Sequence, residues 1–200
     1  AGIKVALLIH LRGDEPPEAG YAAAALTPWP GGVAIYRSPE TTGYVLSTIA
    51  TASSVTGTLI EALPAGPEGR IDYAHRMRVR LDSGELSALT RVQMLAGQNV
   101  AALETGDGGW EVVQFEQATL VETDVYELSG LLRGQGGTED AMRETLPTGA
   151  GFVLLATGLT RIALTRDEIG LPYNWSVGPS RVGWATPPTR SKRMPLADAV

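Results

Sequence analysis

The stretch SGLLRGQGGTEDAM, residues 129–142, puts four glycines, an arginine and three acidic or hydroxyl neighbours (Thr138, Glu139, Asp140) close together, the composition of a loop that could cradle a phosphate. A phosphate-binding loop of the G-x-x-x-x-G-K-[ST] kind needs a lysine for the terminal phosphates and a hydroxyl for magnesium. No such lysine follows these glycines. The dinucleotide fingerprint needs glycine at its first, third and sixth positions. Counted from Gly134, the sixth position is Glu139, an anion where a pyrophosphate would lie. The stretch therefore reads as a corner. Leu131 and Leu132 anchor a strand in the core, and Gly134, Gly136 and Gly137 allow positive φ. Thr138 is expected to N-cap a short helix over 139–144, with Glu139 and Asp140 in its first turn. Arg133 is left to pair with a carboxylate of this or a neighbouring chain.

Other chemistry is sparse. The chain has no cysteine, which removes disulfides, thiolate nucleophiles and cysteine-based metal sites. Its two histidines, His10 and His75, have no HExxH spacing, so no metal site is expected. There is no G-x-S-x-G nucleophile elbow. Paired acids for glycoside hydrolysis could be drawn from Glu61, Asp72, Glu104, Glu111 and Glu116, but among 22 acids such pairs arise by chance. Neither a catalytic residue nor a cofactor is assigned. RGD (12–14) reads as a turn, and NWS (174–176) matters as a glycosylation signal only in a secreted eukaryotic protein. Arg76, Arg78 and Arg80, flanked by Asp72, Asp82 and Glu85, read as one solvated strand face.

The elements that must carry these residues are mostly strands. In 200 residues, 24 glycines and 13 prolines are too many helix breakers for a bundle. The apolar runs KVALLIH (4–10), VAIYRS (33–38) and GYVLSTIA (43–50) read as strands, the latter two as a hairpin. YAAAAL (21–26) is ambiguous, because alanine favours helix but the run is short. TPWPGG (27–32) is a rigid corner whose Trp29 plugs a core edge. HRMRVRL (75–81) alternates Met77, Val79 and Leu81 against the arginines. WEVVQF (110–115) follows the turn GDGG and supplies Trp110 and Phe115 to the core; ATLVET and VYELSG flank a turn at Thr123-Asp124. GFVLLA (151–156) and RIALT (161–165) add two more strands. One short helix is expected over 85–97, with Leu86, Leu89, Val92 and Leu95 or Ala96 on one face and Gly97 as its stop. The fold class is mainly β, an antiparallel sandwich or barrel-like body with many short strands and one or two short helices.

With 44% hydrophobic and 19% charged residues and no long apolar run, the chain is globular, without a transmembrane segment. Its net charge of -6 disfavours specific nucleic-acid binding. The opening AGIKVALLIH lacks a signal-peptide pattern, the end ATPPTRSKRMPLADAV reads as a linker, and the chain is expected to be a segment of a longer polypeptide. The expected division is a strand and connecting arm over 1–20, a main β-rich domain over 21–165, and a linker with the start of a following module over 166–200.

The order of TPWPGGVAIYRS (27–38), GRIDYAHRMRVRLDSGEL (69–86), GQNVAAL (97–103), WEVVQFEQATLVETDVYELSGLLRGQGGTEDAM (110–142) and GAGFVLL (149–155) resembles the C-terminal region of the large tail-tip protein of gene transfer agents and related siphophages, the host-specificity, megatron or TIM-barrel-like tail protein. The resemblance runs from about Ala22 to Leu155 and lacks the family's amino-terminal glycoside-hydrolase-like barrel, so no activity of that barrel is carried over. It implies a structural virion protein at the tail tip or baseplate, a homo-trimer around the tail axis, docked to hub and distal tail proteins and meeting the host cell envelope. Trp29, Trp110, Phe115, Leu131, Leu132, Arg133 and Thr138 are the structural and interface candidates. The rival readings are a carbohydrate-binding module that stacks host glycans on Trp175 and Trp184, and, less favoured, a glycoside hydrolase segment.

Overall fold

A computed structural model of the chain describes residues 4–9, 19–156, 158–163, 165–168, 171–180 and 192–195. In chain order the strands are β1 (Lys4–Ile9), β2 (Ala19–Ala25), β3 (Val33–Ser38), β4 (Val45–Ala50), β5 (Thr56–Leu59), β6 (Leu63–Pro64) and β7 (Met77–Ser83). A short helix, α1 (Arg91–Leu95), precedes β8 (Val100–Glu104), β9 (Trp110–Glu122), β10 (Val125–Gln135), β11 (Thr145–Leu146) and β12 (Gly151–Leu154). The last three strands are β13 (Leu159–Ala163), β14 (Pro172–Pro179) and β15 (Lys192–Pro195). The fold is mainly β. Contacts divide the chain into two compact units, Val55–Ala156 and the combination of Ala1–Ser54 with Thr157–Val200. Those boundaries differ from the ones that composition draws near residues 20 and 165.

The unit Val55–Ala156 is a closed antiparallel barrel in the order β10-β7-β5-β12-β8-β9, with the small pair β11-β6 beside it. Closure answers the choice between sandwich and barrel, since a closed sheet leaves fewer open edges. Alternation along β7 buries Met77, Val79 and Leu81 and turns Arg78 and Arg80 outward. The GDGG turn joins β8 to β9, pairing Glu104 with Trp110, and Asp124 at φ 59° turns β9 into β10. Glycine is required in β5, where a Cβ on Gly57 would collide with the Arg80 carbonyl oxygen. Phe115, Leu128, Leu131 and Phe152 lie fully buried at the centre.

The helix expected over 85–97 is shorter and turned the other way. Only Arg91–Leu95 is helical; Thr90 caps it reciprocally with Gln93. Met94 is its buried residue, while Val92 and Leu95 are 78% and 61% exposed. Leu86 leaves the helical series and enters the barrel core. A helix this short carries no full apolar stripe of its own, and its one inward position is set by the barrel wall.

In the other unit, β2 is the centre of the sheet β1-β2-β13, and the second sheet runs β15-β14-β3-β4. Ala22, Ala23 and Ala24 are wholly buried in β2. Strand neighbours on both edges and packing on the faces leave room only for small side chains, and this outweighs the helix preference of alanine. Ala22, Ala24, Val33, Ile35, Ala50, Ile162 and Trp175 form the core of this unit, and Trp29 packs half-buried against it.

Candidate functional site

The residues with chemical potential in the barrel gather where β10 ends. Arg133 and Glu111 stand on the adjacent strands β10 and β9, and both side chains are completely buried. The guanidinium Nε donates to Glu111 Oε1 at 2.6 Å and an Nη donates to Oε2 at 2.7 Å, a two-pronged pair. The other Nη donates to the Pro64 carbonyl oxygen at 2.8 Å. The Gly134 amide donates to Glu111 Oε1 at 3.2 Å. Gly134 has φ 58°, and a Cβ there would lie 3.0 Å from the Glu139 Cα, so the corner can close only on glycine. The cation that gave the stretch its phosphate-loop look is thus spent inside the protein: it clamps β9, β10 and β6 together.

Thr138 does not cap a helix. The following turn, Glu139–Ala141, is a single 3-10 turn with no side-chain cap. The Thr138 hydroxyl instead donates to the Gln135 carbonyl at 2.8 Å and accepts from the Val112 amide at 2.9 Å. The amide of Val112 lies close to the corner because of the irregular register between Leu132 and Gln135, and the hydroxyl satisfies it in preference to the helix start. Leu131 is fully buried and Leu132 nearly so; Phe115, paired with Leu131, lies in the same core, and Trp110 is half-buried at the start of β9.

Next to the clamp, Asp72 pairs through its backbone with Leu131, both amides donating, at 2.7 and 2.9 Å. Its carboxylate accepts from the Ala74 amide at 2.8 Å, the His75 amide at 3.1 Å and His75 Nδ1 at 2.7 Å. Burial alone would push the Asp72 carboxyl up, but the His75 side chain and the two amides outweigh it and hold the carboxyl below its usual range. Because the folded value lies below the unfolded one of about 3.9, Asp72 contributes stability that is complete above that pH and is lost as pH falls through the folded value. Asp72→Asn is therefore expected to lower the unfolding midpoint at neutral pH and to flatten its decline below about pH 4. Denaturant midpoints measured from pH 7 down to about pH 2 test this; parallel acid limbs for the two proteins would refute it.

An Asp–His pair can orient an imidazole for proton transfer, and His75 is partly exposed. The sequence signals that would supply a nucleophile are missing, however, and the acids considered for catalysis are mostly engaged elsewhere. Glu61 accepts from Arg78 at 3.1 Å, Glu111 holds Arg133, and Glu116 accepts from the Tyr73 hydroxyl at 2.8 Å. Arg91 donates to that same hydroxyl and lies over the Tyr73 ring, 5.6 Å from its centroid. Arg76 and Arg78 both reach Glu127, at 3.4 and 3.1 Å, so two of the three arginines of this stretch are ion-paired, while Arg80 is exposed. Among the described residues no group of three or more histidines and carboxylates is arranged to hold a metal ion.

Two sequence signals fall in the other unit. Trp175, considered as a flat platform for sugars, is 4% exposed and packed in the core, because it sits mid-strand on β14 between β3 and β15. Asn174 of the NWS triplet is buried, and its amide donates to the carbonyls of Pro39 and Glu40 at 3.2 and 3.0 Å. It pins the turn between β3 and β4 and is not presented as a glycan acceptor. Trp184, His10 and the RGD triplet lie outside the described residues.

A closed antiparallel barrel with a buried Arg–Glu pair at its corner defines the class of this unit. The chain belongs to the Rcc01698-like, C-terminal family, whose model matches residues 54–153, nearly the whole barrel. Rcc01698 is a gene transfer agent-related protein. Curated proteins give no match to the chain.

Proposed function

We propose that this chain is a structural component of the tail tip, or baseplate, of a gene transfer agent or siphophage-like particle, forming part of its cell-facing end and contributing to host attachment and DNA delivery. The family membership of the barrel carries this reading. The buried Arg133–Glu111 clamp supports it, since an arginine committed to protein partners stiffens a scaffold and is itself withdrawn from ligand binding. In this reading the chain works through interfaces with other subunits, standing as a homo-trimer around the tail axis against hub and distal tail proteins, with no catalytic step and no cofactor. The test is to image purified particles labelled with an antibody against the barrel. Label at the free end of the tail, together with loss of adsorption when the gene is deleted, is expected. Label on the head, or particles that carry no such protein, would overturn the proposal.

A further inference from the structure

β9 outruns one of its neighbours. Residues 110–114 pair with β8, whereas the strand continues beside β10 as far as Glu122. The Phe115 amide bonds to Asn99 and the Glu116 carbonyl to Leu89; past them, among the described residues, no strand pairs with the outer edge of 117–122. Over 117–120, before the register shift at Val121, such an edge is a row of amides and carbonyls able to template another strand.

The side chains point the same way. Ala118 stands opposite Leu128 and Leu120 opposite Tyr126, and directly opposed residues of an antiparallel pair share a face. Leu128 and Tyr126 belong to the barrel core, so Leu120 projects from the core-facing side of the sheet. It is nevertheless 59% exposed, since among the described residues no strand continues β8 alongside it; Val121, 39% exposed, falls at the register shift between Val125 and Tyr126. At the end of the edge Glu122 and Asp124 are exposed, and among the described residues neither takes part in an ion pair.

We infer that the outer edge of β9 over residues 117–122 accepts an extended strand from a partner protein, one that lays a branched apolar side chain over Leu120 and sets a basic residue against Glu122 and Asp124. Strand addition supplies main-chain bonds for affinity and side-chain pockets for specificity. Charge selects the occupant: the stretch QATLVETD, residues 117–124, contains no lysine or arginine, so a second copy of the same edge cannot supply the cation. The inference stands independently of the tail-tip reading.

The chain is titrated with the blocked peptide acetyl-Lys-Val-Thr-Val-Thr-Val-Lys-amide while amide hydrogen exchange is followed. Exchange is expected to slow over 117–122 and to stay unchanged in β8. The same peptide with glutamate at both ends is expected to bind on the order of tenfold more weakly, a difference that shrinks at high salt. Leu120→Glu should abolish the protection, whereas Val92→Glu, on the exposed side of α1, should leave it intact. Both substituted positions are solvent-exposed, and an unaltered exchange pattern in β7 and β12 checks that each variant is folded. Absence of protection at millimolar peptide, protection mapped elsewhere, equal binding of the two peptides, or protection of 117–122 that grows with protein concentration alone would each overturn the inference, the last by showing that copies pair with one another.

Discussion

Arg133→Met is expected to destabilise the barrel by about 3–5 kcal/mol, the cost of leaving a buried charge without its partner. Glu111 has no exposed surface, so its carboxylate cannot recover the two lost bonds from water. The Pro64 carbonyl loses its donor in the same step. A domain of ordinary stability has only about 5–15 kcal/mol in total, so the loss is a large part of it. Urea unfolding, read by hydrogen exchange of β9 and β10 amides so that the barrel is followed apart from the other unit, measures the effect. A change below about 1 kcal/mol would mean that the pair is solvated in solution, contrary to its burial.

The double variant Arg133→Met/Glu111→Leu separates the pair from its surroundings. If the cost of the single change is mainly the stranded carboxylate, replacing both charges with apolar groups should recover much of it. Full recovery is not expected, because the buried Gly134 amide is then unsatisfied, at about 1–3 kcal/mol. The clamp is thus a device for holding β6 and the Gly134 corner in register as much as a source of stability.

The sequence made the individual strands of the barrel legible wherever one face was buried. β7 is the clearest instance: Met77, Val79 and Leu81 alternate with arginines, and the pattern passes unchanged into the folded strand. Closure was not legible, because it depends on distant registers such as Phe152 against both Gly57 and Leu103, which no local pattern encodes. The same reason hides the partner of Arg133. An internal contact for it could be expected once the phosphate loop was excluded, but Glu111 becomes its neighbour only through the pairing of β9 with β10. Spacing misled in 85–97, where Val92 and Leu95 repeat helically yet face solvent and Met94 turns inward. Thr90 and Gln93, by contrast, form a T-x-x-Q capping box whose signal was in the sequence and marks where the helix starts. Trp175 shows the limit of reading aromatics as binding platforms: a tryptophan on a strand with neighbours on both edges is first of all core.

Phe115→Ala is expected to cost about 3–5 kcal/mol, whereas Trp110→Ala, on the same strand, should cost markedly less. Tryptophan carries the larger side chain, so burial and not bulk decides the difference. Phe115 has no exposed surface and packs among the core side chains of the barrel, opposite Leu131. Removing the ring forfeits both its transfer energy and its contacts with walls that relax only in part, and a closed barrel constrains that relaxation from every side. Trp110 is half-buried where β9 begins, facing Glu104 in the register, so water can occupy part of the space it leaves. Denaturant unfolding of the two variants, followed again through the barrel amides, gives the comparison. Equal losses would mean that Trp110 is covered in solution by something beyond this chain, and a small loss for Phe115→Ala would contradict a packed barrel centre.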